Sequence, residues 1–229
     1  MKIANINTLS ELLEMPSLPE AICFDAVGTL FGVKGSVGEA YSEFCQRFDL
    51  QLNSEDLDRA FYNSFKAAFP PAFPGANPTE IGEKEFDWWY DIAIQTFSET
   101  GDIGKFADFR GFFQGLFEYF ATADPWVLYA DTQPALAALR DRGIILAVIS
   151  NFDSRLYRVL QAFHLSEFFS SVIISTEVGA AKPDAQIFTS ALQNLQLPPE
   201  AVWHVGDSRK ADGEGARSSG LYPILISRS

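Results

Sequence analysis

Asp25, Ser150, Lys182, Asp207 and Asp212 are the side chains of this sequence best placed to act together. Each sits in a short pattern, and the patterns follow one order: FDAVGTL at 24–30, ISN at 149–151, AAKPD ending at Asp184, and VGDSRKAD at 205–212. They supply a nucleophilic carboxylate, a hydroxyl with an amide, a lysine and an acidic pair, a set suited to phosphoryl-type chemistry. A carboxylate is a weak nucleophile in water. Two devices help it, a positive neighbour that keeps it ionised and a cation that neutralises the incoming substrate, and Lys182 and the acidic pair offer both. Thr29 adds a hydroxyl in the same turn as Asp25, and Gly28 lets the backbone approach a phosphate closely. Asp207 and Asp212, about one helical turn apart, present hard oxygens of the kind magnesium prefers.

These residues need strand ends to bring them together. AICF at 21–24 reads as a short buried strand, so Asp25 lies at its carboxyl end, before a turn containing Gly28. The second half of the chain repeats a strand–helix rhythm, with helices over 132–142, 154–163 and 184–195 and strands over 144–149, 172–175, 201–205 and 222–226, plus a short helix after Asp207. That alternation predicts an α/β fold with a parallel sheet and right-handed crossovers. Ligands collect at the carboxyl ends of such strands, where all four patterns fall. Ser150 and Asn151 end one strand, and Asp207 follows another.

Between the first strand and this repeat lies a phenylalanine-rich stretch, 34–124, with no strand signal. Val37, Tyr41, Phe44 and Phe48 recur at helical spacing, as do Leu57, Phe61, Phe65 and Phe69 behind the capping candidates Asn53 and Ser54. The prolines of 70–78 force a loop. A second pair of helices follows, with Phe86, Trp89, Tyr90, Ala93 and Phe97 on one stripe and Phe109, Phe113, Leu116, Phe117 and Phe120 on the other. Four helices inserted into a sheet make a cap, with hinges expected at 32–38 and 123–125. Trp88, Trp89 and Trp126 read as packing groups of these helices, and His164 and His204 as structural.

Composition narrows the rest. A chain of 229 residues with 47% hydrophobic content can bury a sizeable core. Its formal charge of -13, without a basic run, argues against nucleic acid or an anionic membrane as partner. Cys23 and Cys45 sit in apolar surroundings and suggest neither a disulfide framework nor a metal site. The N-terminus has no long apolar run, so neither a signal peptide nor a spanning helix is expected, and a cytoplasmic location fits best.

The four patterns, in this order, resemble those of the haloacid dehalogenase superfamily, in the branch (subfamily I) with a helical C1 cap inserted after the first strand. The resemblance covers nearly the whole chain. It implies a Rossmann-like core over 1–33 and 125–229, a four-helix cap over 34–124, and Asp25 as covalent nucleophile. It also implies that Thr29, Ser150, Asn151 and Lys182 serve the phosphoryl group. By the same resemblance Mg²⁺ is held by Asp25, Asp207 and the main-chain carbonyl of Val27, with Asp212 assisting through water or through Lys182. The sequence departs from the family at Val27, where its phosphatases carry an aspartate that protonates the leaving oxygen and then activates water. Valine cannot transfer a proton, and such help is worth on the order of 10²–10⁴ in rate.

The reading is therefore a Mg²⁺-dependent phosphatase of low or narrow activity on a small phosphorylated substrate. One alternative is a 2-haloacid dehalogenase using Asp25 without metal, since halide leaves without a proton. It would need a cap arginine, from Arg47, Arg59 or Arg110. The other is a binding module for a phosphate-bearing ligand or a protein partner.

Overall fold

In the computed structural model, which describes residues 3–228, eight strands and nine α-helices follow one another along the chain. The strands are β1 (Ala4–Ile6), β2 (Ala21–Phe24), β3 (Phe31–Val33), β4 (Trp126–Leu128), β5 (Ile145–Ser150), β6 (Ser171–Ile174), β7 (Val202–Gly206) and β8 (Tyr222–Ile226). The helices are α1 (Val37–Gln46), α2 (Ser54–Ala67), α3 (Ile81–Glu99), α4 (Phe109–Tyr119), α5 (Thr132–Asp141), α6 (Arg155–Ala162), α7 (Ser175–Val178), α8 (Ala185–Leu195) and α9 (Gly215–Ser218).

Six strands form one sheet in the order β1-β8-β7-β2-β5-β6, every pair parallel. β2 is central and buried along its whole length, as its unbroken apolar run requires. Cys23 lies opposite both Ala147 and His204, and Phe24 opposite both Val148 and Val205. This register sets the carboxyl ends of β2, β5 and β7 side by side, and the Asp25 amide continues the ladder by donating to the Val205 carbonyl at 2.8 Å. One face of the sheet packs Leu136, Leu139, Leu156 and Leu160 from α5 and α6. The other packs Ile187, Phe188 and Ala191 from α8 and Ala216 from α9. The fold is the expected Rossmann-like α/β sheet with helices on both faces. β1 is an addition, formed because β8 offers the N-terminal stretch a parallel edge.

Helices α1 to α4 all fall between β3 and β4 and share a core of their own, including Tyr41, Phe61, Ile92, Phe97, Phe112 and Leu116. Ser36, Asn53 and Asp108 cap α1, α2 and α4 by accepting from the amides of Glu39, Asp56 and Gly111, each cap worth about 1 kcal/mol. Three residues of the expected stripes stay outside this core. Phe48 lies beyond the end of α1 and is 47% exposed, Phe65 lies within α2 and is 41% exposed, and Phe69 lies beyond the end of α2 and is 89% exposed.

The chain leaves and re-enters the sheet domain through an antiparallel ribbon, with Phe31 opposite Leu128 and Val33 opposite Trp126. The glycines of 32–38 also serve close packing. A Cβ on Gly32 would meet the Tyr129 hydroxyl at 2.6 Å, and one on Gly38 would meet the Ser54 carbonyl at 2.0 Å, so both allow close packing. Gly35 alone of these three takes a left-handed conformation, at φ +68°.

Polar links hold the helices down on the sheet. Glu85 of α3 accepts from the Ser154 amide at 3.0 Å, the Ser154 hydroxyl at 2.5 Å and the Thr176 hydroxyl at 2.6 Å. Trp89 donates its indole N–H to Asp153 at 2.7 Å. Asp153 is paired with Arg155, whose guanidinium lies 3.9 Å from the Phe117 ring centroid and donates to the Phe117 carbonyl.

Candidate active site

Asp25 leaves the end of β2 with its carboxylate turned to the neighbouring strand ends. Its Oδ1 accepts from the Ser150 hydroxyl at 2.9 Å and pairs with Lys182 Nζ at 2.8 Å. Among the described residues Oδ2 takes no hydrogen bond. Lys182 uses its ammonium fully: besides Asp25 it contacts Asp212 Oδ1 at 2.6 Å and the Ile149 carbonyl at 2.8 Å, three acceptors for three protons. Burial works against the Lys182 charge, but Asp212 and Asp25 outweigh it and raise its pKa. For Asp25 burial dominates and raises the carboxyl above its ordinary value, opposed by the Lys182 charge and the Ser150 hydrogen bond and reinforced by the Asp212 charge.

Asp212 lies on the turn after β7 and is 1% exposed. Both its oxygens are engaged, Oδ1 by Lys182 and His204 Nε2 at 2.9 Å, Oδ2 by the Ser208 amide at 2.9 Å. Burial alone would raise its pKa, but the Lys182 charge and the contacts from His204 and Lys182 win and hold it well below the usual carboxylate range. Asp207 remains open to solvent on one side. Partial burial together with the charges of Asp25 and Asp212 pushes its carboxyl up to about 6. Gly28, at φ +81°, makes room for it, since a Cβ there would lie 2.4 Å from Asp207 Oδ2.

Oxygens of Asp25, Asp207 and Asp212 lie within 4.8 Å of one another. Three carboxylates face one ammonium here, a surplus of negative charge on hard oxygens, and the set fits a divalent cation such as Mg²⁺. Thr29 is fully buried and its hydroxyl is one of two buried side-chain polar atoms without a partner among the described residues.

The side chains expected from the sequence thus converge at the carboxyl ends of the strands, with one adjustment. Asn151 was expected to face a ligand. Its amide instead clamps the Lys182 backbone, accepting from the Lys182 amide at 2.6 Å and donating to the Lys182 carbonyl at 2.9 Å, so it fixes the lysine loop. Asp212 contacts Lys182 directly, in keeping with the expected assistance through Lys182.

Two residues escaped the sequence reading. His204, expected only as structural, is fully buried beneath Asp212, and burial lowers its pKa, so the neutral ring donates Nε2–H. Strand alternation carries the signal, because His204 and Gly206 share the face of β7 that Asp212 folds back upon. Arg228 donates to the Thr29 carbonyl through Nε at 3.0 Å and to both Asp131 oxygens at 2.8 Å, tying the end of the chain to the turn after Asp25. No motif surrounds it. Val27 contributes to an apolar cavity of about 220 Å³ between the helices and the sheet. A larger hollow of about 460 Å³, lined by Glu177, Gln186 and Asn194 among others, involves none of the residues above.

A family model described as "haloacid dehalogenase-like hydrolase" matches residues 19–220. "Haloacid dehalogenase-like hydrolase domain-containing protein 3" of Bos taurus is 32% identical over 207 residues, spanning 90% of this chain and 80% of that protein. A phosphoserine phosphatase of Thermus thermophilus is 36% identical over 111 residues, 48% of this chain and 45% of that one. In fold, the chain is similar to L-2-haloacid dehalogenase from Xanthobacter autotrophicus, with a TM-score of 0.65 at 20% identity over 89% of this chain and 76% of the other.

Proposed function

The chain belongs to the haloacid dehalogenase-like hydrolases, and from that premise we propose that it is a magnesium-dependent phosphohydrolase in which Asp25 takes the phosphoryl group. The observation that carries this reading is Asp207. An extra carboxylate beside Asp25 has a use where a cation must be held against a phosphate, and none where the substrate is a haloacid anion that it would repel. The cap arginines a dehalogenase would call upon are engaged elsewhere: Arg47 stacks on Phe44 and Tyr119, Arg59 pairs with Asp56, and Arg110 pairs with Asp87. The phosphoserine phosphatase relative points the same way.

Lys182 and Ser150 both hold Asp25 Oδ1, which leaves Oδ2 as the attacking oxygen. The Lys182 charge favours the ionised nucleophile, and Asp212 and Asn151 hold that lysine in place. Thr29 offers its unpartnered hydroxyl to the phosphoryl oxygens. Asp25, Asp207 and the Val27 carbonyl would hold Mg²⁺, with Asp212 acting through Lys182, and the cation would neutralise phosphoryl charge and align it with the nucleophile. Val27 provides no proton to the leaving oxygen and no base for the water that attacks phospho-Asp25. Activity is therefore narrow, restricted to leaving groups that depart as anions.

Phosphomonoesters and 2-chloropropionate, assayed in parallel with magnesium and with chelator, test the reading, with Asp25→Asn as blank. Phosphate release that needs both magnesium and Asp25 is expected. Halide release that persists in chelator would replace this reading with a dehalogenase.

A further inference from the structure

The cavity beside Val27 has a shape and lining that restrict what can leave from the site. It lies between the α1–α4 helices and the sheet, and Val27 and Asn151 connect it to the nucleophile: Val27 is two residues past Asp25, and Asn151 follows the serine that bonds Asp25. Tyr41, Phe61, Trp89, Phe117 and Phe152 supply aromatic wall. The rings of Phe61 and Trp89 are nearly parallel, at 6°, and Phe65 lies against both at 20° and 24°, so three aromatic rings are packed together on this side. Phe65 is 41% exposed, which places one end of the stack at the surface.

Polar groups on the wall are largely committed. Asn151 is bound to the Lys182 backbone at both ends of its amide, and the Arg155 guanidinium is paired with Asp153 and covered by Phe117. Beyond the hydroxyls of Tyr41 and Tyr62, a polyol or zwitterionic leaving group would find its polar atoms buried without partners, which is unfavourable. A planar apolar group would not. The volume of about 220 Å³ suits one or two rings, given that an apolar cavity of about 150 Å³ accommodates benzene.

Val27 makes the same demand through chemistry. With no acid to protonate it, the leaving oxygen must be stable as an anion. A phenol, with pKa near ~10, meets that condition far better than an alkyl alcohol, whose pKa is close to the ~15.7 of water. We propose that the site hydrolyses aryl phosphates, with the ring of the leaving group seated in the cavity beside Val27; this rests on the phosphatase reading and names its substrate class.

In the first step Asp25 Oδ2 forms a bond to phosphorus, and the phosphorus–oxygen bond to the ring breaks. The aryloxide keeps the electron pair. In the second step water attacks phosphorus, the Asp25 carboxylate is released with its electron pair, and phosphate departs. The proton that water gives up ends on the aryloxide through solvent.

The full chain with Mg²⁺ is assayed on 1-naphthyl phosphate, phenyl phosphate, propyl phosphate and acetyl phosphate. Acetyl phosphate has a still less demanding leaving group, a carboxylate with pKa ~4, but no ring, so it reports the chemistry without the pocket. Expected are a kcat/KM at least tenfold higher for 1-naphthyl phosphate than for propyl phosphate, and competitive inhibition of acetyl phosphate hydrolysis by 1-naphthol. Val37→Phe, which fills the cavity from α1, should lower the naphthyl-to-acetyl kcat/KM ratio by tenfold or more. Asp25-dependent hydrolysis of acetyl phosphate, with 1-naphthyl phosphate no better than propyl phosphate and no competition by 1-naphthol, would overturn the aryl proposal and leave the phosphatase standing. The wild-type comparison decides this even if Val37→Phe does not fold. Release of phosphate from none of the four would sink the phosphatase reading and this proposal with it.

Discussion

Asp25 has one oxygen held by two donors and one left free, and the whole site can be read from that asymmetry. Lys182 and Ser150 fix the held oxygen, Asp212 and Asn151 fix Lys182, and His204 and the Ser208 amide fix Asp212. Val27 is the one position where the arrangement lacks a working group. Val27→Asp should raise kcat/KM on propyl phosphate by at least tenfold, a floor below the roughly 10²–10⁴ that acid–base help contributes. It should also shorten the life of phospho-Asp25, so that any burst of leaving group seen in the wild type disappears; a variant no faster than wild type would show that the missing acid is not the limit. Asp25 and Asp207 were legible in the sequence because each directly follows a strand, and Lys182 and Asp212 because each stands in a short pattern, before a proline that opens a helix or one turn past Asp207. Asn151 and His204 were not, since their roles depend on which neighbouring backbone or carboxylate the register brings opposite them.

The elements that cover the site are joined to the sheet through Asp153, which takes the Trp89 indole N–H from α3 and the Arg155 guanidinium from α6. Burial opposes the Asp153 charge, but Arg155 overcomes it and holds the carboxyl below its ordinary value near 3.8. A depressed folded-state pKa means that stability from this group is present above that ordinary value and is lost as pH falls through the folded one. Asp153→Asn leaves Arg155 buried and unpaired, at a cost of about 3–5 kcal/mol, so the Tm at pH 7 should drop on the order of 10 °C. The gap to wild type should narrow as pH falls below the ordinary value, and a gap independent of pH would contradict the ion-pair account. At this scale, helix and strand periodicity located most elements to within a residue or two, as for the helix expected over 132–142 and found at Thr132–Asp141. Phe48 and Phe69 misled because their apolar spacing runs past the ends of α1 and α2. The β3–β4 ribbon was hidden because its pairing joins residues far apart in the chain.

For the whole molecule, the parallel sheet brings three strand ends to one edge, and the inserted helices place a largely apolar cavity above them. The sheet supplies the charges and the helices supply the shape of what can approach. The chain's formal charge of -13 sets an unfavourable field for the proposed anionic substrate, which Lys182 and the proposed cation would offset locally. The alternation of strands and helices made this architecture readable, whereas the cavity depends on how the aromatic helices close over Val27, which residue spacing does not specify. The central claim is that Asp25 becomes covalently phosphorylated. Mixing the protein and Mg²⁺ with radiolabelled acetyl phosphate and quenching in acid within milliseconds to seconds tests it directly. The account predicts label on the chain approaching one phosphoryl group per molecule, located at Asp25, released by hydroxylamine and absent from Asp25→Asn. Turnover that proceeds without label on the wild-type chain, or label that persists in Asp25→Asn, would contradict it.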